Sequence, residues 1–190
     1  ILLKKKVNMK IIKKLGLIFL AVFTIIVFYF VYGIYINPKS PKGNVLFENE
    51  NIKIEISYSR PYKKNRLIFG EADKEALVPY GEYWRLGANF ATSIEINQNV
   101  SFAGRPLNKG KYRLYAVPFK NNWRLVINSE SGVFGFNEPD YSKDIMAVNL
   151  PVNILNDELE QFTIDFVESD SILNLRMRWD NVEVMSLINY

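Results

Sequence analysis

The residues best suited to chemistry lie between positions 57 and 92 of the 190-residue chain. Arginines stand at Arg60, Arg66 and Arg85, and the last of them directly follows Trp84. A guanidinium group can bind a carboxylate or a phosphate through two parallel hydrogen bonds, and an indole ring can stack on a flat ligand. One hypothesis is therefore a pocket in which the three arginines recognise an anion beside the Trp84 ring.

The same segment also permits a purely structural interpretation. Trp84 and Arg85 point to opposite sides if the chain is extended there, so Trp84 can fill the core while an arginine pairs with a buried carboxylate. Gly87 allows a backbone conformation closed to other residues, and Asn89 and Thr92 can satisfy backbone groups around such a bend. Both residues join Trp84 and the three arginines as candidate ligand-binding residues.

The composition excludes several kinds of site. The chain has no histidine and no cysteine, which rules out zinc ribbons, thiolate nucleophiles, Ser-His-Asp triads and disulfide frameworks. We assign no catalytic residue, no cofactor and no metal. The acidic segment 138–144 lacks the spacing of a calcium loop. The alternative is a glycan hydrolase that uses paired carboxylates, drawn from Glu71, Glu82 and Glu95.

The positive charge is concentrated at the N-terminus. The chain has 24 basic and 20 acidic residues, and six of the basic ones are lysines within residues 1–14. Without these six lysines, 18 basic residues stand against 20 acidic ones, a net charge of −2. Nucleic-acid binding needs a basic face that neutralises phosphates, so we expect no nucleic-acid partner.

Residues 15–36 predict a transmembrane anchor. This segment has 22 residues without a charge, and a helix of that length spans roughly 33 Å, enough to cross a bilayer. Tyr29, Tyr32 and Tyr35 near its end suit the membrane interface. The lysines of residues 1–14 predict a cytoplasmic tail, which places the rest of the chain outside. The alternative is a signal peptide that is cleaved to release a secreted periplasmic protein.

The remainder predicts an all-β domain. After a linker at 37–44, whose prolines and glycine disfavour regular structure, residues 45–190 contain strand patterns separated by turn signals. The predicted strands are 52–58, 93–97, 112–119, 123–128, 162–166, 173–179 and 182–184. Asp180-Asn181 tolerates positive φ and predicts a two-residue hairpin turn. We expect a single antiparallel β-sandwich, or a flattened barrel, behind one N-terminal transmembrane helix.

Several motifs recur in a known family. They are S-x-S-R-P at 57–61, R-x-I-F-G at 66–70, V-P-Y-G-x-x-W-R-x-G-A-N-x-x-T at 78–92 and G-x-Y-x-L-x-x-x-P at 110–118. The chain from about residue 50 onward thereby resembles a bacterial family catalogued as domain of unknown function 2911. The resemblance implies one exported, mostly antiparallel β domain in envelope-bearing bacteria. It implies no activity, because none is assigned to the family.

These observations favour a non-catalytic protein anchored in the cytoplasmic (inner) membrane by residues 15–36, with its domain on the periplasmic side. We expect the domain to bind a small anionic or glycan ligand, or an envelope protein. The two alternatives are the hydrolase of envelope glycans and a structural interaction domain whose exposed sheet edge pairs with a partner strand.

Overall fold

The chain forms a helical unit that ends at Lys39 and a β unit from Ser40 to Tyr190. The computed structural model describes residues 9–133, 135–169 and 172–190. In the helical unit, helix α1 (Met9–Val31) is followed by one π-helical turn (Tyr32–Ile36). Helix α1 is long and apolar enough to cross a membrane, although a signal sequence has the same properties. The uncharged segment 15–36 is thus helical, and within the described residues the helix extends back to Met9.

The β unit contains one nine-stranded antiparallel sheet and one small parallel pair. The strands are β1 (Lys42–Glu48), β2 (Lys53–Ser59), β3 (Phe69–Gly70), β4 (Val78–Pro79), β5 (Thr92–Ile96), β6 (Val100–Phe102), β7 (Arg105–Leu107), β8 (Gly110–Pro118), β9 (Asn122–Asn128), β10 (Asp144–Ser169) and β11 (Ile172–Asn189). Their order in the large sheet is β1-β2-β5-β8-β9-β10-β11-β6-β7, while β3 pairs with β4. Two short 3-10 helices lie at Ala72–Lys74 and Tyr141–Lys143.

Strand β10 joins the two halves of the large sheet. Its residues 144–151 pair with β9, and its residues 152–169 pair with β11. The halves face each other across the core. One contact between them is the hydrogen bond that the Tyr58 hydroxyl of β2 donates to the Ile164 carbonyl of β10 at 3.2 Å. The predicted all-β antiparallel fold behind one N-terminal helix is confirmed, as an open sheet that does not close into a barrel.

Aromatic side chains form the centre of the core. Trp84, Trp123 and Trp179 are all buried, and they pack around Phe69 and Phe162 with ring centroids 5.0 to 6.2 Å apart. Apolar residues that alternate along the strands supply the rest of the core, as the period of a half-buried strand requires. Aromatic pairs at these separations add to the stabilisation that burial itself provides.

Two details of the predicted strand boundaries differ from the structure. The hairpin turn at Asp180-Asn181 is wrong, because β11 continues through it from Ile172 to Asn189. Asp180 does adopt a positive φ, of 55°, but it does so at a register shift against Leu159. The positive φ that Asp180 tolerates, which suggested a turn, therefore occurs at a β-bulge. Strand β1 also begins at Lys42, inside the predicted linker, because its pairing with β2 outweighs the local preference of its lysine and glycine.

Candidate functional site

Trp84 belongs to the core. Its backbone pairs with that of Ala116, with N–O distances of 2.8 and 2.9 Å, and its side chain is only 6% exposed. The indole nitrogen donates to the Gly87 carbonyl at 3.2 Å. The ring therefore faces other aromatic rings and holds the following bend in place.

The bend after Trp84 is packed tightly against the end of β2. Leu86 has a φ of 56° and Gly87 a φ of 143°. A Cβ at position 87 would lie 2.7 Å from the Ser59 carbonyl oxygen, which leaves room only for glycine. The buried Thr92 hydroxyl donates to the Leu86 carbonyl at 2.6 Å and closes the bend. The glycine and the threonine of this motif thus have structural roles in the bend.

Beyond the bend, the chain joins a second loop. Asn89 is exposed with a φ of 57°, and its carbonyl accepts from the Gly135 amide at 3.1 Å. The Ala91 amide donates to the Val133 carbonyl at 3.3 Å. A Cβ at Gly135 would lie 2.7 Å from the Ala91 nitrogen, so the two loops are in close backbone contact.

The three candidate arginines contact three different parts of the β unit. Arg60 donates to the Phe162 carbonyl at 3.3 Å and to the Thr163 hydroxyl at 3.0 Å, which fastens the chain after β2 to β10. Arg66 is exposed and donates to the carbonyls of Lys63 and Tyr62 within its own turn. Both guanidinium groups bind protein oxygen atoms in the structure.

Arg85 has a different environment. Its guanidinium lies 5.5 Å from the centroid of the Phe136 ring, which is itself 74% exposed. It makes no hydrogen bond or ion pair with any residue that the structure describes. This half-buried cation packs on an exposed ring, whereas the neighbouring Trp84 lies in the core.

A cleft lies on the outer face of the sheet, beside the paired loops. Its floor is a row of short polar side chains on adjacent strands, in which Asn44 pairs with Ser57 and Ser57 pairs with Ser93. Because these side chains are short, they leave a depression of about 380 Å³. The lining also includes Lys42, Lys111, Tyr58, Ser59, Phe90, Ala91, Gly132 and Val133. Phe90 and Ala91 belong to the motif at 78–92, so the motif forms one wall of the cleft.

The charged groups of the cleft lining are both cationic. The Lys42 ammonium lies 5.5 Å from the Phe90 ring centroid. The Lys111 ammonium lies 3.2 Å from a Glu95 carboxylate oxygen, and both side chains are about half exposed. Glu95 in turn faces Glu55 across the β2–β5 pair. An exposed ion pair of this kind contributes only about 0–1 kcal/mol, so an anion can displace Glu95 from Lys111.

The row of polar residues continues from the cleft into a buried network. Ser93 pairs with Arg113, Arg113 with Asn128, and Asn128 with Asp144. The Asn128 amide donates to an Asp144 carboxylate oxygen at 2.8 Å, and the Tyr115 hydroxyl donates to the other at 2.7 Å. Burial, and then the bond to Asp144, raise the pKa of Tyr115 above its usual value.

Arg113 fastens the second loop to the sheet. Its side chain is fully buried, and it donates to Glu130 at 3.1 Å, to the Asn137 carbonyl at 2.8 Å and to the Tyr83 hydroxyl. Its Nε atom is buried and has no hydrogen-bond partner among the described residues. Breaking a buried ion pair is costly, so this network fixes the loop that carries Gly132 and Val133 beside the cleft.

The acidic residues considered for catalysis or calcium binding are dispersed. Glu71, Glu82 and Glu95 are exposed and lie on different elements, and none of them lines the cleft. Asp140 accepts from the Ser142 amide at 3.0 Å and caps the 3-10 helix, and its bonds to Ser142 lower its pKa. Among the described residues, no group of three acidic side chains could hold a metal ion.

Lys42 and Lys111 were missed by the sequence analysis. Each is an outward lysine on a strand, a position that is usually only solvated. The signal that could have identified them is the short polar residue at the outward positions of three separate segments, Asn44, Ser57 and Ser93. Reading that signal requires the pairing register of strands that are far apart in sequence.

A protein-family model described as "Protein of unknown function (DUF2911)" matches residues 40–188. The chain belongs to this family, and the match covers nearly the whole β unit. Comparison with the curated proteins and with the solved structures finds no match.

Proposed function

We propose that this family member is a membrane-anchored, non-catalytic protein whose β unit binds a small anionic or glycan ligand in the outer cleft. The observation that carries the proposal is the cleft lining itself, which among the described residues has two lysines and no carboxylate above a floor of amide and hydroxyl groups. Lysine ammonium groups attract an anion, and Asn44, Ser57 and Ser93 offer hydrogen bonds to sugar hydroxyls. The Phe90 ring adds an apolar wall.

The charge distribution supports an exported location for this cleft. The lysines that precede residues 15–36 favour a cytoplasmic N-terminus, and a helix that stays in the membrane then leaves the β unit on the outer side. In a bacterium with two membranes this side is the periplasm. The ligand would be a component of the cell envelope.

The lack of suitable acid–base groups supports a non-catalytic role. The chain has no histidine, and the cleft lining has no carboxylate that could act as an acid, a base or a nucleophile on a glycan. Any acid–base chemistry in the cleft would fall to lysine or tyrosine. Binding therefore needs fewer assumptions than hydrolysis.

Thermal unfolding of the full chain in an uncharged detergent tests the proposal. The three buried tryptophans report unfolding of the β unit by their fluorescence. A ligand that binds only the folded state raises stability by about 2.7 kcal/mol at a hundredfold excess over Kd. We expect glucuronate or glucose 6-phosphate to raise the midpoint, and glucose to raise it less.

A double variant ties this effect to the cleft. Lys42→Gln with Lys111→Gln removes both cations, and we expect it to abolish the shift. Lys74→Gln with Lys109→Gln removes two exposed lysines outside the lining and should preserve it. Equal shifts in the two double variants would contradict the proposal.

An envelope protein partner is a second candidate, and the open sheet edge favours it. Among the described strands, β1 pairs only with β2, so its other side is available for an added strand. A result in which none of the three probes changes the midpoint would favour this second candidate.

A further inference from the structure

We infer that the ligand of the cleft is a phosphate ester of a small polyol carried at the membrane surface, such as the phosphoglycerol headgroup of an anionic lipid. This inference rests on the proposed function and specifies its ligand class. It draws on the type of cation, on the free polar groups of the floor and on the position of Lys42 in the chain.

The cations of the cleft suit a phosphate better than a carboxylate. A planar carboxylate is matched by the fork of an arginine, whereas lysine acts as a compact point charge without a preferred plane. The lining has two lysines and no arginine. Each ammonium group can bind an oxygen of a tetrahedral phosphate from any direction, and one of them, Lys111, is held only by an exposed pair with Glu95.

The floor offers hydrogen bonds that the protein leaves partly unused. The Ser57 hydroxyl donates to the Asn44 side-chain carbonyl at 2.9 Å. Within the described residues, the Asn44 amide nitrogen and the Ser93 hydroxyl make no hydrogen bond. A donor and a hydroxyl next to two cations match a phosphate that carries neighbouring hydroxyl groups, as glycerol phosphate does.

The linker limits the distance between Lys42 and the end of the helical segment. Five residues, 37–41, separate the end of the helical segment at Ile36 from Lys42. An extended chain of this length spans at most roughly 20 Å. This covalent limit holds for any arrangement of the two units. A helix that stays in the bilayer therefore keeps Lys42 within roughly 20 Å of the helix end, a reach that allows it to contact the headgroup layer, where anionic lipids attract lysine.

The first experiment uses the full chain in an uncharged detergent, with glycerol phosphate as the probe and glycerol as its uncharged control. We expect glycerol phosphate at about a hundredfold excess over Kd to raise the unfolding midpoint by several degrees. Glycerol should have no effect. The Lys42→Gln/Lys111→Gln variant should lose the shift, and the Lys74→Gln/Lys109→Gln variant should keep it.

The second experiment places the full chain in bilayer nanodiscs of phosphatidylcholine, with or without phosphatidylglycerol. We expect phosphatidylglycerol to raise the midpoint of the wild-type chain and of the Lys74/Lys109 variant. It should not raise that of the Lys42/Lys111 variant. The charge-matched variant separates occupation of the cleft from general attraction between lysines and an anionic surface.

The outcomes separate this inference from the proposed function. A shift with glycerol phosphate but not with phosphatidylglycerol would overturn the membrane source of the ligand. A shift with glucuronate but with neither glycerol phosphate nor phosphatidylglycerol would overturn the inference that the ligand is a phosphate ester. The cleft would then remain a site for other anions. The absence of a shift with every probe would overturn the proposed function as well.

Discussion

Replacing Gly87 with alanine should unfold the β unit far more easily than an ordinary glycine replacement. Two costs add at this position. Backbone φ of 143° is rarely adopted by residues with a side chain, and such strain costs about 1–3 kcal/mol. The new Cβ would also lie 2.7 Å from the Ser59 carbonyl oxygen, a backbone atom that can move only with the end of β2. Overpacking of this kind costs about 1–3 kcal/mol more.

Gly104→Ala provides the matched control. Gly104 also has a positive φ, of 79°, but a Cβ there would meet no atom within 4 Å. The control therefore carries only the backbone cost, about 1–2 kcal/mol. The gain from a stiffer unfolded chain is the same in both variants and cancels. The difference between them therefore reports the contact with Ser59, together with any extra backbone strain at the φ of 143°.

The assay is urea unfolding of the full chain in detergent, followed by tryptophan fluorescence. We expect Gly87→Ala to lower the free energy of unfolding by about 1–3 kcal/mol more than Gly104→Ala does. In thermal unfolding this corresponds to a midpoint lower by about 2–4 °C for each kcal/mol in a domain of this size. Equal destabilisation by the two variants would refute the close packing of the bend against β2.

Three further predictions concern the bend, the cleft and the buried network. Thr92→Val leaves the Leu86 carbonyl buried without its donor and should cost about 1–3 kcal/mol in urea unfolding; an unchanged stability would contradict the hydrogen bond. Glu95→Gln frees Lys111 from its carboxylate and should tighten glycerol phosphate binding by up to about fivefold in calorimetry, whereas weaker binding would exclude Lys111 as a cleft cation. The raised pKa of Tyr115 means that the folded chain holds the phenolic proton more firmly than the unfolded chain. This stabilisation is complete below pH 10 and is lost as the pH rises through the folded pKa, so wild type should lose stability above pH 10 more steeply than Tyr115→Phe.

The local features of the fold could be predicted from the sequence. Strict alternation at 52–58 and 93–97 indicated β2 and β5, and the polar interruption at 120–122 indicated the β8–β9 hairpin. These signals are local, because period-two alternation follows from one buried face. Asp180 shows what local patterns cannot predict, because a positive φ occurs both in hairpin turns and in bulges within a continuous strand. Only the pairing with β10 decides between them.

The motif at 78–92 predicted the architecture of the bend, whereas the two lysines of the proposed cleft lie outside the motif. The opposite directions of Trp84 and Arg85, the need for glycine at Gly87 and the hydrogen-bonding role of Thr92 follow from residue type and spacing. The cleft depends instead on Lys42 and on Lys111, which come together through the register of four strands. No local pattern encodes that register.

Binding at the outer cleft can be observed directly at its two lysines. Reductive methylation with a carbon-13 label keeps their charge and gives each lysine an NMR signal, which single lysine-to-arginine variants assign. On titration of the full chain in uncharged detergent with glycerol phosphate, we predict shifts of the Lys42 and Lys111 signals that saturate together, with Lys74 and Lys109 unchanged. Stationary signals from Lys42 and Lys111, or equal shifts of all four lysines, would contradict binding in the cleft.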